Sequence, residues 1–192
     1  MESARLYRVL ALVVFAAGVG AIANAAYIPA KAALAQILLE RAWERAQAGE
    51  RNAKPWPWAD ISPLAEIEVP RLDARVIVLE DASGSAMAFG PGHMPNSAAI
   101  GARGTAIIAA HRDTTFRFLR DVRSGDDVLA VTRDGRRIRY RVASTKVVRA
   151  DASGLDPSDG GPTQGQLALV TCYPFDGVFH SPLRYVVLAR KV

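Results

Sequence analysis

From residue 65 to the C-terminus the chain is a succession of short β-type runs broken by turn residues, and this pattern limits the fold more than any other feature. Ala65–Val69 (AEIEV) alternates, Arg75–Glu80 (RVIVLE) is rich in β-branched residues, and Thr105–Ala110 (TAIIAA) is uniformly apolar. DVLAVT and RRIRYRVA flank Arg133-Asp134-Gly135-Arg136, whose Asp-Gly pair predicts a hairpin. STKVVRA, Gln166–Cys172 (QLALVTC) and Arg184–Arg190 (RYVVLAR) complete the set, and one helical turn is expected at Thr114–Leu119. That makes seven or eight strands in about 125 residues, with no helices of 10–15 residues between them. The chain is therefore expected to be mainly β, an antiparallel or mixed barrel or sandwich, and not a doubly wound α/β fold.

The N-terminus obeys a different rule. Leu6 to Ile28 is an apolar stretch of 23 residues interrupted only by Arg8 and Asn24, and about 20 residues cross a hydrocarbon core. Arg8 lies close enough to the end to snorkel. A membrane anchor over residues 1–29 is the expectation; a cleaved leader ending near Ala23-Asn24-Ala25 is the alternative. Residues 30–63 divide into two parts. Ala30 to Gly49 reads as an amphipathic helix through Leu34, Ile37, Leu38 and Ala42. Lys54 to Pro63 (KPWPWADISP) holds three prolines, so it reads as a stiff linker whose tryptophans cover part of the domain. Residues 64–192 form the β domain.

Composition removes several function classes. A single cysteine permits no intramolecular disulfide. Three histidines (His93, His111, His180) and that cysteine leave no convincing structural zinc site, and no carboxylate cluster suggests calcium. The net charge of +5 comes from 24 basic against 19 acidic residues spread along the chain, which does not call for nucleic acid. No metal or cofactor is implied.

Two side chains sit where chemistry is easily supported. Cys172 ends an apolar strand and is followed by YPFDGVFHSP, whose prolines and glycine stop that strand. His111 follows TAIIAA in the same way. Strands that deliver a thiol and an imidazole at their ends make a Cys–His dyad geometrically possible, with the imidazole favouring the thiolate and protonating a leaving amine. Read singly, Cys172 is as well a buried, inert thiol and His111 a loop histidine. Arg184 opens the last strand, where a planar, permanently charged donor can bind a carbonyl or developing oxyanion; read singly, it is a surface arginine.

Taken together, AAHRDTTFRFL, LALVTC and LRYVV occur in the order that resembles the sortase family of cysteine transpeptidases, over roughly Glu66 to Val192. YIPAKAALAQILLERAWERA, KPWPWAD, GPGHMP, HRDTTFRFLRDVRSGD and VTCYPFD bring it nearest the Gram-negative type, class GN or marine proteobacterial sortase. The resemblance implies an eight-stranded sortase-type β-barrel with short helices behind an N-terminal transmembrane helix. It places Cys172 at the family's nucleophile, His111 at its histidine and Arg184 at its arginine. Thr171 falls at the residue lining the pocket before the nucleophile, and Ala168 stands where the family usually has Thr. The implied activity cleaves a C-terminal LPxTG-like sorting signal on a secreted protein through a thioacyl intermediate and passes the acyl group to a cell-envelope amine. The implied location is the inner membrane, single-pass, with the catalytic domain on the periplasmic side.

Secondary candidates are His93, as a wall of the substrate groove; Asp113, as an orienter of His111 or as an N-cap of the next turn; and Tyr173, in the loop after the nucleophile, where Phe175 and Phe179 can supply an apolar wall. Two other classes remain: a thiol hydrolase that releases substrate to water, and a non-catalytic β-barrel binding module with Cys172 in its core. A peptidoglycan L,D-transpeptidase is disfavoured because no histidine lies just before Cys172.

Overall fold

The computed structural model describes residues 2–155, 165–177, 179 and 181–192; side chains at 2–6, 9, 13, 17, 22–24, 26 and 28 lie outside the description. The chain divides into two compact units, Met1–Ile37 and Leu38–Val192. A helix, α1 (Glu2–Gln47), runs through both Pro29 and the boundary. Among the described residues no helix is long and apolar enough to cross a membrane. The expected transmembrane helix over Leu6–Ile28 is thus matched in its helical backbone only, and part of it rests on side chains outside the description.

In the second unit the strands are β1 (Pro63–Val69), β2 (Ala74–Leu79), β3 (Gly92–His93), β4 (Thr105–Ala110), β5 (Asp127–Thr132), β6 (Arg137–Arg149), β7 (Gln166–Cys172) and β8 (Leu183–Lys191). They close into a barrel in the order β1-β2-β3-β4-β7-β8-β6-β5. Closure leaves no free sheet edge. β2 with β3 and β4 with β7 pair parallel, and the other neighbours are antiparallel. A four-residue helix, α2 (Gly84–Met87), and 3-10 turns at Pro70–Leu72, Arg117–Asp121 and Ala150–Ala152 lie in the connections.

Two elements depart from the sequence expectation. The runs RRIRYRVA and STKVVRA are one strand, β6, of 13 residues, bent by an irregularity between Val142 and Ser144. β3 escaped detection because two residues carry no periodicity. Gly92 is required there: a Cβ would come within 2.3 Å of the Asp81 carbonyl oxygen. The Asp-Gly hairpin forms as expected, with Gly135 at φ 78° and its amide donating to the Thr132 carbonyl at 2.9 Å.

Alternation sorts each strand. Ala65, Ile67 and Val69 of β1 meet Val128, Ala130, Tyr140, Leu167, Leu169 and Val187 in the interior, with Phe116 and Leu119 closing one end. Tyr140 is fully buried, and its hydroxyl accepts from the Gly101 amide at 2.8 Å, so its polar end is satisfied. Outside the barrel, Leu39, Ala59, Ile61 and Leu79 pack together, and Trp43, Ala46 and Ala53 pack on Val131. The packed stripe of α1 is therefore Leu39, Ala42, Trp43 and Ala46; Leu34 and Ile37, expected on that stripe, are 56% and 47% exposed. Trp56 lies edge-on to Phe89 at 5.3 Å and covers the domain as expected, whereas Trp58 is exposed.

One polar contact joins the turn after β1 to the start of β5. Arg71 donates to both carboxylate oxygens of the buried Asp126, at 2.6 and 2.8 Å, and the Arg123 amide donates to the same group. The Arg71 hydrogen bonds hold the Asp126 carboxyl below the usual 3.8. A depressed carboxylate stabilises the fold above the unfolded-state value and stops doing so as pH falls through the folded-state value. Asp126→Asn should lower unfolding free energy by about 1–3 kcal/mol at neutral pH. In urea titrations across pH, that difference should shrink as acid protonates the wild-type carboxylate; a constant difference would show that the charge is immaterial.

Candidate active site

β4 and β7 run parallel with Ala110 opposite Thr171. In a parallel pair the next residue of each strand lies beside the other, about 4.8 Å away in the pairing direction. Those residues are His111 and Cys172. They line one cavity of about 150 Å³ together with Arg112, Asp113 and Ser181. Cys172 is half-buried and His111 exposed, so the thiol has a rigid support on one side and open space on the other.

The third expected residue arrives from the other side of β7. In the antiparallel β7–β8 pair Cys172 is directly opposite Arg184. Directly opposed side chains share a face of the sheet, so the thiol and guanidinium both point away from the interior that Leu169 and Val187 fill. Arg184 is held rather than loose: its Nη1 donates to the carbonyls of Ser181 at 2.8 Å and Leu183 at 2.9 Å. Among the described residues Nε and Nη2 have no acceptor, which leaves them able to meet a ligand. The arrangement is a nucleophile-capable sulfur flanked by an imidazole on one neighbouring strand end and a guanidinium on the other.

The secondary candidates separate. Thr171 is 2% exposed and faces inward; its hydroxyl donates to the Ala110 carbonyl at 2.7 Å. It ties β4 to β7 one residue before the His111–Cys172 pair, and does not line the cavity that holds them. Asp113 lines that cavity but makes no side-chain hydrogen bond among the described residues; the following 3-10 turn, Arg117–Asp121, has Phe116 at its N-cap and no side-chain cap. Asp113 is thus neither bonded to His111 nor a cap. Tyr173 stacks on Tyr185 at 6.3 Å and meets Phe175 edge-on; Phe175 and Tyr185 pack against the barrel core, and none of the three lines the Cys172–His111 cavity. His93 is elsewhere: it lines a different cavity, of about 570 Å³, with Leu64, Ile100, Thr132 and Arg133. There its Nε2 lies 2.9 Å from the Ala98 carbonyl. His180 lies outside the described residues.

The sequence reading missed Arg112. Its neighbour His111 drew the attention, and in a chain this rich in arginine one more carries no signal. Among the described residues, no group of three or more metal-ligating side chains occurs.

Comparisons with known proteins agree with this fold. A family model described as a sortase domain matches residues 67–192. Sortase D of Bacillus subtilis (strain 168) is 28% identical over 126 residues, 66% of this chain; the match spans 62% of that protein's length. Among solved structures, a lid mutant of sortase A from Corynebacterium diphtheriae superposes with a TM-score of 0.62 at 24% identity, covering 83% of this chain and 94% of that one. A Clostridium perfringens sortase D5 transpeptidase gives 0.57 at 20% identity, covering 80% and 88%. At these identities the superpositions speak for the fold.

Thr171→Val keeps the volume and removes the hydroxyl. Because it strands a buried carbonyl, it should cost about 1–3 kcal/mol in urea unfolding, and Thr171→Ser should recover most of the loss. Wild-type stability in the valine variant would mean the tie is dispensable.

Proposed function

This chain belongs to the sortase family, and from that premise we propose that it is a cysteine transpeptidase acting on the C-terminal sorting signal of a secreted protein. The observation that carries the reading is the pairing register, Ala110 with Thr171 on one side and Cys172 with Arg184 on the other, which gathers the three groups at one barrel end.

The chemistry follows from their roles. The Cys172 thiolate attacks the scissile carbonyl of an LPxTG-like peptide, and the free donors of Arg184 stabilise the oxyanion that develops. His111, as imidazolium, gives its proton to the departing amine as the C–N bond breaks. The acyl group is then a thioester on Cys172. An amine of the cell envelope attacks it, His111 takes the amine's proton, and the thiolate is released with a new amide formed.

Location is part of the same proposal. Substrates of this kind are met outside the cytoplasm, and the Leu6–Ile28 stretch suits a single inner-membrane anchor that leaves the barrel on the periplasmic side. The exposed Leu10, Leu12, Val14 and Phe15 of α1 support the reading, since a helix apolar on all sides suits lipid. The GPGHMP, HRDTTFRFLRDVRSGD and VTCYPFD segments support the Gram-negative type.

Incubation with an LPxTG-like peptide should add the acyl mass to Cys172 in intact-mass spectra, and Cys172→Ala should abolish the adduct without unfolding the protein. Rapid modification of native Cys172 by iodoacetamide is expected; an inert thiol would favour a binding module. His111→Ala should lower turnover by about 10²–10⁴-fold. Arg184→Lys should lose most activity, because an ammonium cannot hold two carbonyls and still present a donor fork; normal turnover there would remove Arg184 from the mechanism.

A further inference from the structure

Two arginines from the segment after His111 reach across to the loop that follows Cys172. The Nη2 of Arg112 donates to the carbonyl of Gly177 and, at 3.2 Å, to that of Phe179. Arg120 pairs with Asp176 at 2.7 Å and lies 5.5 Å above the Phe175 ring. These are not equivalent. Arg112 lines the Cys172–His111 cavity, whereas Arg120 does not, and Asp176 is 89% exposed. A screened surface pair of that kind contributes little. Both Arg112 contacts are charge-assisted, and the one to Gly177 is part-buried while the one to Phe179 is exposed.

The loop is shaped to admit this guanidinium. A Cβ on Gly177 would lie 3.0 Å from the Pro174 side chain and 3.1 Å from Nη1 of Arg112. Gly177 has an ordinary φ, so the glycine serves close approach and not an unusual turn. Nη1 itself is buried with no acceptor among the described residues. The loop packs against the arginine even though, among the described residues, one of its nitrogens has no acceptor.

We propose that Arg112 is a positioning residue: it holds the loop after Cys172 against the His111 segment and so sets how the thioacyl intermediate divides between amine and water. The inference rests on the transpeptidase reading. From the Cys172 thioester, attack by an amine gives an amide and the free thiol; attack by water gives a carboxylic acid and the same thiol. Both routes start from one intermediate, so damage to the fold or to its formation lowers both products together. Only a change in access at the thioester alters their ratio.

The test measures amide and acid products by chromatography, at fixed peptide and amine concentration, for the full chain and four variants. Arg112→Met should raise the acid-to-amide ratio at least fivefold. Gly177→Ala, which keeps Arg112 but crowds its Nη1 against the loop, should move the ratio the same way. Arg112→Lys, able to hold one carbonyl, should fall between, and Asp176→Asn should stay within twofold of wild type. If Arg112→Met and Gly177→Ala slow turnover while the ratio stays within twofold, the inference is overturned. An equal rise in Asp176→Asn also overturns it, because any loosening of the loop would then suffice. A wild-type protein that yields neither product, or acid alone, fails the transpeptidase reading itself, and this inference with it, before any variant is compared.

Discussion

The parallel pairing of β4 with β7 is the constraint on which the site depends. It is one of two parallel contacts in an otherwise antiparallel barrel, and parallel neighbours end at the same side. Had these strands run antiparallel, His111 and Cys172 would lie at opposite ends. The Thr171 hydroxyl, donating to the Ala110 carbonyl at 2.7 Å, ties the last rung before the strands release their chemical side chains. A hydroxyl bonded inside the core keeps this geometry better than an apolar residue would, because a slipped register would strand the Ala110 carbonyl among buried atoms.

Rigidity and access are divided between the two sides of that rung. Behind it lie Leu167, Leu169, Ile108 and Val187, close-packed and excluded from water. Ahead of it two irregular segments meet, joined by Arg112 and backed by the aromatic group Tyr173, Phe175 and Tyr185. A nucleophile at this boundary is held by strands and reached through loops. This is the usual division of labour between scaffold and site.

Much of this was legible in the chain. β1, β2, β4, β5, β7 and β8 follow runs that alternate or are uniformly apolar, and the hairpin was written in Asp134-Gly135. What escaped has physical causes. β3 is too short for periodicity and exists because Gly92 lets two backbones touch. The packed stripe of α1 is set by what the barrel presents, Val131 and Leu79 among others, so the helical repeat alone found Ala42 but also took in the exposed Leu34 and Ile37. His93 was read with the site because of its motif neighbours, and the fold sets the two in different cavities.

The sequence by itself determined that the chain has a β domain, that one thiol and three imidazoles are available for chemistry, and that Cys172, His111 and Arg184 stand at strand ends. Those are properties of local pattern and composition. Only the tertiary structure decided which strand ends meet, that Thr171 braces the core instead of facing a ligand, and that Arg112 spans two loops. Sixty-one residues of chain separate Ala110 from Thr171, and at such separations contact is fixed by which strands pair and in which direction, a choice made by the whole barrel as it closes.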